Sequence, residues 1–279
     1  YNRKEEQYKL YSHENIEAQS KTLWTLVLAA GQSERFGGIK ALASWDDETL
    51  LTHSLKLAHN ISSEKVHVML GGHVKPLIPY LNETSYSENP DWKKGMGTSI
   101  SWGVQRILEQ DENVENILIL PIDQPLVTES HLQALIEKSR LDAKNVLSES
   151  LEEIQGPPAV LHRDSFSRAI NLEGPKGLKS FLSEDDYDTV QDALALEDVD
   201  TKEDLERLQS LEDLDVNPSS TTVFIASHAT KLSLVEIILG SIVHGFNIPF
   251  GGNFLSLNQG VFLCRATQHF SQDRKQAAF

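Results

Sequence analysis

The sequence predicts an α/β fold, with a Rossmann-like, mainly parallel sheet, helices on both faces and an apolar C-terminal extension of unknown fold. Largely apolar runs at 23–30, 65–70 and 116–120 predict strands that are covered on both faces. Each run is followed by a Gly or Pro turn and then by a helical pattern. The predicted helices are 50–60, 98–110, 128–140 and 201–211. Such alternation gives parallel strands with right-handed crossovers, and ligands then bind beyond the carboxyl ends of the strands.

Composition divides the chain into three parts. Residues 1–21 form a polar lead without the apolar stretch of a secretory signal, and residues 22–212 carry the alternating pattern. Residues 213–279 begin as an acidic linker containing Pro and Ser and continue as an apolar extension, in which Glu236 is the one formal charge between 232 and 264. A buried hairpin, a membrane-associated segment and a mis-joined reading frame are the open alternatives for this part.

Charge and cysteine content exclude several classes of protein. The formal net charge of -16 argues against a general binder of nucleic acid or anionic membranes. Any cations that hold an anionic ligand must therefore be local. The single cysteine, Cys264, excludes an internal disulfide and a zinc site built from cysteines, and it favours a reducing, cytoplasmic compartment.

The loop after the first strand carries the strongest binding signal, LAAGQSERFGGIK at 28–40. Gly31 lets the backbone approach an anion closely, and successive amides can form a nest of donors. Arg35 and Lys40 add positive charge, so the loop predicts a site for a nucleoside triphosphate. The alternative is a surface turn with solvated charges. Neither the Walker pattern nor GxGxxG is present.

Two further segments predict ligand contacts. Asp123 follows a buried strand within PIDQPLV, which puts a carboxylate at the strand's tip, where it can bind Mg²⁺ or cap the next turn. In NPDWKKGMGTSI, Gly95 and Gly97 free the backbone before Thr98 and Ser99 open a helix. The N-terminus of such a helix can hold a phosphate.

The remaining acid–base candidates favour structural roles. His162 lies in a predicted strand that follows the rigid turn at 156–158, and a histidine in such a strand is more often structural than a general base. Asp198 and Asp200 in DVDTKEDL are expected to cap a helix, with Glu203 three residues after Asp200. A second metal role for this pair is the alternative.

Five segments together resemble the MobA-like nucleotidyltransferases, in order and approximate spacing over about 22–210. They are LAAGxSxRFGxxK at 28–40, NPDWKKGMGTSI at 89–100, LPIDQPLVT at 120–128, GPPAVLHRDSF at 156–166 and DVDTKEDLERL at 198–208. The double alanine is most similar to the molybdenum cofactor cytidylyltransferase branch. The resemblance implies the nucleotide-diphospho-sugar transferase type of fold for 22–212.

The resemblance also implies a reaction and a set of site residues. The reaction is Mg²⁺-dependent transfer of CMP from CTP to molybdopterin cofactor with release of pyrophosphate, with Asp123 as the metal ligand. The catalytic candidates are Arg35, Lys40 and Asp123. The nucleotide-binding candidates are Leu28, Ala29, Ala30, Gly31, Arg35, Lys40 and Gly71. The acceptor-binding candidates are Gly95, Gly97, Thr98, Ser99, Gly156 and Pro157.

One departure keeps alternatives open. The cytidylyltransferase branch usually has Gly-Asp where this chain has Gly174 and Pro175, followed by Lys176 and Gly177. Proline offers no carboxylate for a metal or an acceptor. The alternatives are a transferase that uses GTP or a sugar phosphate, and a weakened enzyme that serves as a cofactor chaperone for a molybdenum hydroxylase.

Overall fold

The structure is a computed structural model that describes residues 22–174, 177–178, 182–183, 186–216, 249–250 and 253–254. Its residues fall into two units, one ending at Ser210 and the other beginning at Leu211. The predicted domain boundary at 212/213 stays a prediction. Pro175, Lys176 and nearly all of the apolar extension lie outside the described residues. No helix in the described part of the chain has the length and apolar character needed to span a membrane.

Strands and helices alternate along most of the first unit. The first half contains β1 (Leu23–Ala29), β2 (Ser44–Trp45), β3 (Glu48–Thr49), α1 (Leu50–Ser62), β4 (Val66–Leu70), α2 (Val74–Leu77), β5 (Ser85–Glu88), α3 (Met96–Gln110) and β6 (Asn116–Pro121). The second half contains α4 (Glu129–Asp142), β7 (Asn145–Glu149), β8 (Gln155–His162), α5 (Phe166–Ala169), β9 (Tyr187–Gln191) and the start of α6 (Lys202–Val216), which continues past Ser210. Separately, β10 (Pro249–Phe250) pairs antiparallel with β11 (Asn253–Phe254).

Seven strands form one sheet in the order β5-β4-β1-β6-β8-β7-β9. Neighbouring strands are parallel except at β8, which runs antiparallel to β6 and to β7. The predicted mainly parallel sheet is confirmed. The segment 156–158 was expected to be a turn leading into a strand, but it lies inside β8, next to a register shift between Leu147 and Ser148.

The core consists of two apolar layers, one on each face of the sheet, as expected for parallel strands that helices cover on both sides. One layer packs α1 and α4 against the sheet, and it includes Val27, Val68, Leu118, Leu51, Leu55, Leu132 and Leu135. The other layer packs α3 against the sheet, and it includes Leu26, Met69, Ile117, Ile119, Ile100, Val104 and Ile107. This double coverage leaves the carboxyl edge of the strands as the place where loops converge.

Capping residues set the start of two helices beside that edge. The hydroxyl of Thr128, where the predicted helix 128–140 begins, accepts a hydrogen bond from the His131 amide and caps α4. At α6 the reciprocal cap is formed by Thr201 and Asp204, since the Asp204 amide donates to Thr201 Oγ1 and the Thr201 amide donates to Asp204 Oδ2. The prediction that Asp200 caps α6 is therefore wrong, and its carboxylate is available for other partners.

Candidate active site

The loop after β1 folds back toward the sheet through two left-handed residues, Ser33 (φ 58°) and Gly37 (φ 71°). Ser33 ties the loop together, because its carbonyl accepts from the Phe36 amide at 3.1 Å and its hydroxyl accepts from the Lys40 amide at 3.2 Å. Lys40 then opens a short 3₁₀ helix, Lys40–Leu42. The loop thereby fixes the main chain of Lys40 close to the end of β1.

Asp123 reaches the same place from the neighbouring strand. β1 and β6 are parallel, with Leu28 opposite Pro121, so both strands end at one edge of the sheet. Lys40 Nζ lies 2.7 Å from Asp123 Oδ2. The side chain of Lys40 is only 12% exposed, whereas that of Asp123 is 28% exposed. The structure thus brings two of the three predicted catalytic residues into direct contact.

The third predicted catalytic residue joins them through Asp200. Arg35 lies 2.8 Å from Asp200 Oδ2, and Lys40 Nζ lies 3.4 Å from Asp200 Oδ1. A main-chain hydrogen bond of 2.8 Å from the Val199 amide to the Asp123 carbonyl holds this segment against the end of β6. Two cations and two carboxylates therefore form one ion-pair network.

Asp198 adds a third carboxylate, which is a weaker acid than an ordinary aspartate. The residue keeps contact with solvent, yet surrounding atoms desolvate its carboxyl group. Desolvation first, and then the negative charge of Asp123, raises the pKa of Asp198 to about 6. A hydrogen bond from the Gln124 side chain and the charge of Lys40 oppose this rise. The crowding of negative charge marks this edge as a place where an added cation would be favoured.

A cavity of about 290 Å³ opens at this network. Its lining consists of Leu28, Ala29, Gly31, Ser33, Glu34, Arg35, Lys40, Ile122, Asp123 and Asp200. Five of the seven predicted nucleotide-binding residues lie in this lining, namely Leu28, Ala29, Gly31, Arg35 and Lys40. Ser33, Glu34, Ile122 and Asp200 were not predicted as site residues. Two of them carried a sequence signal, because Ser33 is a fixed position of LAAGxSxRFGxxK and Asp200 belongs to the acidic pair in DVDTKEDL.

The other two predicted nucleotide-binding residues, Ala30 and Gly71, pack beside this lining. The Gly72 amide donates to the Ala30 carbonyl at 3.0 Å, which fastens the loop after β4 to the loop after β1. A Cβ added at Gly71 would lie 2.6 Å from Ala30 O and 2.6 Å from Trp92 Cβ. Gly71 is therefore required for close packing between two loops.

The predicted acceptor residues on α3 are occupied by local hydrogen bonds. The Thr98 hydroxyl donates to the Gly95 carbonyl at 2.9 Å, and Asn89 Nδ2 donates to the hydroxyls of Thr98 and Ser99 at 3.0 Å. The amide of Gly97 donates to the Gly174 carbonyl at 3.2 Å. The side chains of Thr98 and Ser99 are buried, so the expected phosphate site at this helix start has fewer free donors than the sequence suggested.

The second predicted acceptor segment lies closer to Asp123. The side chain of Gln124, which is 7% exposed, donates from Nε2 to the Pro157 carbonyl at 3.0 Å. Gly156 precedes Pro157 in β8, where it pairs with Ser148. The chain from 156 to 157 therefore adjoins the loop that carries Asp123.

His162 lies away from the cleft. In the antiparallel pairing of β6 with β8, His162 is opposite Asn116, at the start of β6, whereas Asp123 follows the end of that strand. Its Nδ1 atom lies 3.4 Å from Asp164 Oδ2. The alternative in which His162 acts as the general base of this site is excluded by that position.

The described residues hold no ready-made group of three or more His, Cys, Asp or Glu side chains that could bind a metal ion. Mg²⁺ does not require one, since it usually binds one or two carboxylates together with substrate phosphates. The carboxylates of Asp123 and Asp200 are hard oxygen donors that line one cavity, and their negative charges add to the desolvation that raises the pKa of Asp198. This donor set fits a hard divalent cation.

The fold and the cleft define a class of α/β protein in which the loop after the first strand faces an aspartate that follows the neighbouring strand. Residues 25–190 match the MobA-like NTP transferase domain, and the chain belongs to this family. The resemblance noted in the sequence is confirmed at this level.

Curated relatives that include two Bacillus proteins match part of the chain. Over 114 residues it is 34% identical to the probable molybdenum cofactor guanylyltransferase of Bacillus cereus (strain Q1), covering 41% of this chain and 55% of that protein. It is 32% identical, with the same coverage, to the protein of that name from Bacillus anthracis (strain CDC 684 / NRRL 3495). The chain spans about half the length of the curated relatives it matches.

Solved structures match over a longer stretch. A homologue, from Mycobacterium sp. strain JC1, of Mycobacterium tuberculosis rv0371c has a TM-score of 0.59 and 27% sequence identity, covering 70% of this chain and 98% of that one. A nucleotidyl transferase from Methanothermobacter thermautotroptrophicus has a TM-score of 0.58 at 18% identity, covering 70% and 99%. The second likeness supports the fold alone.

Proposed function

We propose that this chain catalyses nucleotidyl transfer. A phosphate oxygen of an acceptor attacks the α-phosphorus of a nucleoside triphosphate and forms a new P–O bond. The bond from the α-phosphorus to the bridging oxygen breaks, and pyrophosphate leaves with the electron pair. The observation that carries the proposal is the contact of Lys40 with Asp123 at a cavity that the loop after β1 also lines.

Reactions of this type depend mainly on alignment and charge neutralisation. Lys40 and Arg35 would hold the triphosphate and neutralise the charge that grows on the departing pyrophosphate. Gly31 supports this role, since it lines the cavity and has nothing within 4 Å of the position where a Cβ would stand. The nucleophile is a phosphate that is already ionised, so the reaction needs no general base.

Asp123 would hold Mg²⁺, with Asp198 and Asp200 as neighbouring carboxylates. When bound, the metal ion supplies positive charge that orients the triphosphate and stabilises the charge of the transition state. The protein's own contribution is to keep the carboxylate of Asp123 fixed. The hydrogen bond from the Val199 amide to the Asp123 carbonyl supports that role.

Our first candidate substrates are CTP and molybdopterin cofactor, since the Ala29–Ala30 pair resembles the cytidylyltransferase branch. GTP is the second candidate nucleotide, because the curated relatives bear the name molybdenum cofactor guanylyltransferase. A sugar phosphate or polyol phosphate is an alternative acceptor on the same scaffold. Gln124, the residue after Asp123, donates to the Pro157 carbonyl of β8, and this supports an acceptor on the β8 side of the cleft.

The competing proposal is a nucleotide-binding partner or chaperone of a molybdenum hydroxylase with little catalysis of its own. It is motivated by Pro175, which stands where the cytidylyltransferase branch has an aspartate. Tight binding of the cofactor without release of pyrophosphate would favour this alternative.

Pyrophosphate release by the purified chain tests the proposal. The assay compares CTP with GTP in the presence of Mg²⁺ and molybdopterin cofactor, and it repeats each pair with Lys40→Ala and Asp123→Ala. We expect release with one of the two nucleotides and a loss of about 100-fold or more in both variants. Equal rates in the wild type and both variants would remove these residues from the mechanism.

A further inference from the structure

Two consecutive carbonyls in β8 are held by side chains rather than by a neighbouring strand. The register between β7 and β8 shifts between Leu147 and Ser148, and Pro157 and Pro158 fall within this irregularity. A proline has no amide hydrogen to donate to a neighbouring strand. Instead, the side chain of Gln124 donates to the Pro157 carbonyl at 3.0 Å, and the Ser148 hydroxyl donates to the Pro158 carbonyl at 2.6 Å. Two polar side chains therefore fix this part of β8.

This part of β8 lies beside the loop that carries Asp123. In the antiparallel pairing with β6, Ala159 is opposite Ile119, so residues 156–158 continue toward the end of β6 that Asp123 follows. Gln124, which holds the Pro157 carbonyl, is the next residue in that loop. A shift of β8 at residues 156–158 would therefore move the side of the cleft where the acceptor is proposed to lie.

The hydroxyl of Ser148 is itself oriented by His131 on α4. A serine hydroxyl has one hydrogen to donate, and the Pro158 carbonyl can only accept. His131 Nε2 lies 2.8 Å from the same hydroxyl oxygen, so this ring nitrogen is the donor and Ser148 accepts from it. The hydrogen bonds thus run in one direction, from His131 to Ser148 and on to Pro158.

The ring of His131 is held on its other side by Asp192, which follows β9. His131 Nδ1 lies 3.3 Å from Asp192 Oδ2, while Asp192 Oδ1 accepts from the amides of Leu194 and Ala195 at 2.8 and 3.1 Å. Ser148 is 0% exposed and His131 is 5% exposed. A serine, a histidine and an aspartate in this order resemble a hydrolytic triad, but a substrate cannot reach a hydroxyl that is sealed from solvent. The arrangement orients groups and does not react.

We propose that His131 and Ser148 are positioning residues for the acceptor. They hold the Pro158 carbonyl, and with it the β8 side of the cleft, in the place that lets the acceptor phosphate approach the nucleotide, and they do not touch the acceptor themselves. The inference rests on the proposed function, because it assumes that an acceptor lies on the β8 side.

Steady-state pyrophosphate release by the full chain tests the inference. Molybdopterin cofactor is the acceptor, and CTP and GTP are compared in the presence of Mg²⁺. The KM for the acceptor, the KM for the nucleotide and kcat are measured for the wild type, Ser148→Ala, His131→Leu and His131→Gln. Glutamine can still donate a hydrogen bond to Ser148, whereas leucine fills the space without donating one.

Ser139→Ala is the matched control. Ser139 is also 0% exposed, and its hydroxyl also donates to a main-chain carbonyl at 2.6 Å, that of Lys144. It contacts Asn116 at the start of β6, whereas the cleft lies beyond the end of that strand. Ser139→Ala therefore removes a comparable buried hydrogen bond far from the acceptor side. Thermal unfolding measures the stability of every variant.

The expected effect is confined to the acceptor. Ser148→Ala and His131→Leu should raise the KM for the acceptor about 10-fold and change the KM for the nucleotide less than about twofold. His131→Gln should restore the KM for the acceptor to within about threefold of the wild type. Ser139→Ala should lower the unfolding temperature about as much as Ser148→Ala does and leave both KM values within about twofold of the wild type.

An unchanged KM for the acceptor in both Ser148→Ala and His131→Leu would overturn the inference, and so would equal rises in the two KM values. The proposed function would stand in either case, since the wild type turns over. If the wild type releases no pyrophosphate, the proposed function fails, and equilibrium binding of molybdopterin cofactor then decides the inference. Binding about 10-fold weaker in Ser148→Ala than in Ser139→Ala would support it, whereas equal binding, or none by the wild type, would overturn it.

Discussion

Lys40 Nζ and Asp123 Oδ2 lie 2.7 Å apart, although 83 positions separate the two residues in the chain. The contact is a consequence of the sheet, because β1 and β6 are neighbours and end at the same edge. Since the Lys40 side chain is mostly shielded from water, the pair is more than a surface ion pair. Replacing Lys40 and replacing Asp123 are therefore expected to affect the reaction in different ways.

Replacing Lys40 by Met should abolish most of the transfer activity and leave the fold intact. The variant keeps the length of the side chain and its packing but loses the charge that would neutralise the departing pyrophosphate. We expect pyrophosphate release to fall by about 100-fold to 1,000-fold. Lys56→Met is the control, because Lys56 lies on α1 with 66% of its side chain exposed and pairs with Glu48. Activity of Lys40→Met within twofold of the control would contradict the assignment.

Replacing Asp123 by Asn should remove activity by weakening metal binding. The main-chain bond from the Val199 amide to residue 123 is retained, so the local structure should persist. We expect the rate to fall by about 1,000-fold and the Mg²⁺ concentration needed for half-maximal rate to rise. The control is Asp188→Asn, whose carboxylate has a similar exposure and pairs with Lys138. An unchanged metal requirement in Asp123→Asn would rule out Asp123 as the ligand.

The sequence predicts the central strands well because burial leaves a strong pattern. The predicted strands at 23–30, 65–70 and 116–120 differ from β1, β4 and β6 by a single residue at one end. The edge strands β5 and β9 escape prediction, since SYSE and YDTVQ are half-exposed and too polar to form an apolar run. Local patterns thus identify the three most apolar strands and miss the polar edge strands. They also miss β7, although four of its five residues are buried.

The start of α6 shows a second limit on what the sequence predicts. Asp200 and Glu203 have the same spacing as Thr201 and Asp204, so the sequence offers two overlapping caps for α6. The structure uses the second pair, which leaves Asp200 for Arg35 and Lys40. A choice between overlapping local motifs depends on tertiary contacts, and a pattern of residue types does not contain them.

Glycine replacements should separate packing from ligand contact. Gly71→Ala places a methyl group against Ala30 and Trp92, with both contacts at 2.6 Å, and we expect a loss of about 1–3 kcal/mol in the free energy of unfolding. Gly31→Ala meets no atom within 4 Å and should change stability by less than about 0.5 kcal/mol. Because Gly31 lines the cavity, its variant should still bind nucleotide more weakly. Urea unfolding and nucleotide titration measure the two effects, and the reverse order of stabilities would show that the loops are packed differently.

The buried His67 should make the fold sensitive to acid. Its ring lies between the hydroxyls of Ser85 and Ser87 on β5, with Nδ1 at 2.8 Å and Nε2 at 2.6 Å from them. Burial first, and then the charge of Arg106, lowers the pKa of His67 from 6.5 to about 4. Between these two values the unfolded chain binds more protons than the folded one, so stability falls as the pH falls through this window.

For His67 alone, the free energy of unfolding should drop by about 2 kcal/mol between about pH 7 and pH 5. His67→Gln cannot titrate, so its own loss over the same range should be smaller by about that amount, although lost hydrogen bonds will make it less stable than the wild type at neutral pH. Urea unfolding of both proteins at the two pH values measures the difference. An equal pH-dependent loss of unfolding free energy in the two proteins would show that burial beside β5 does not keep the ring of His67 neutral.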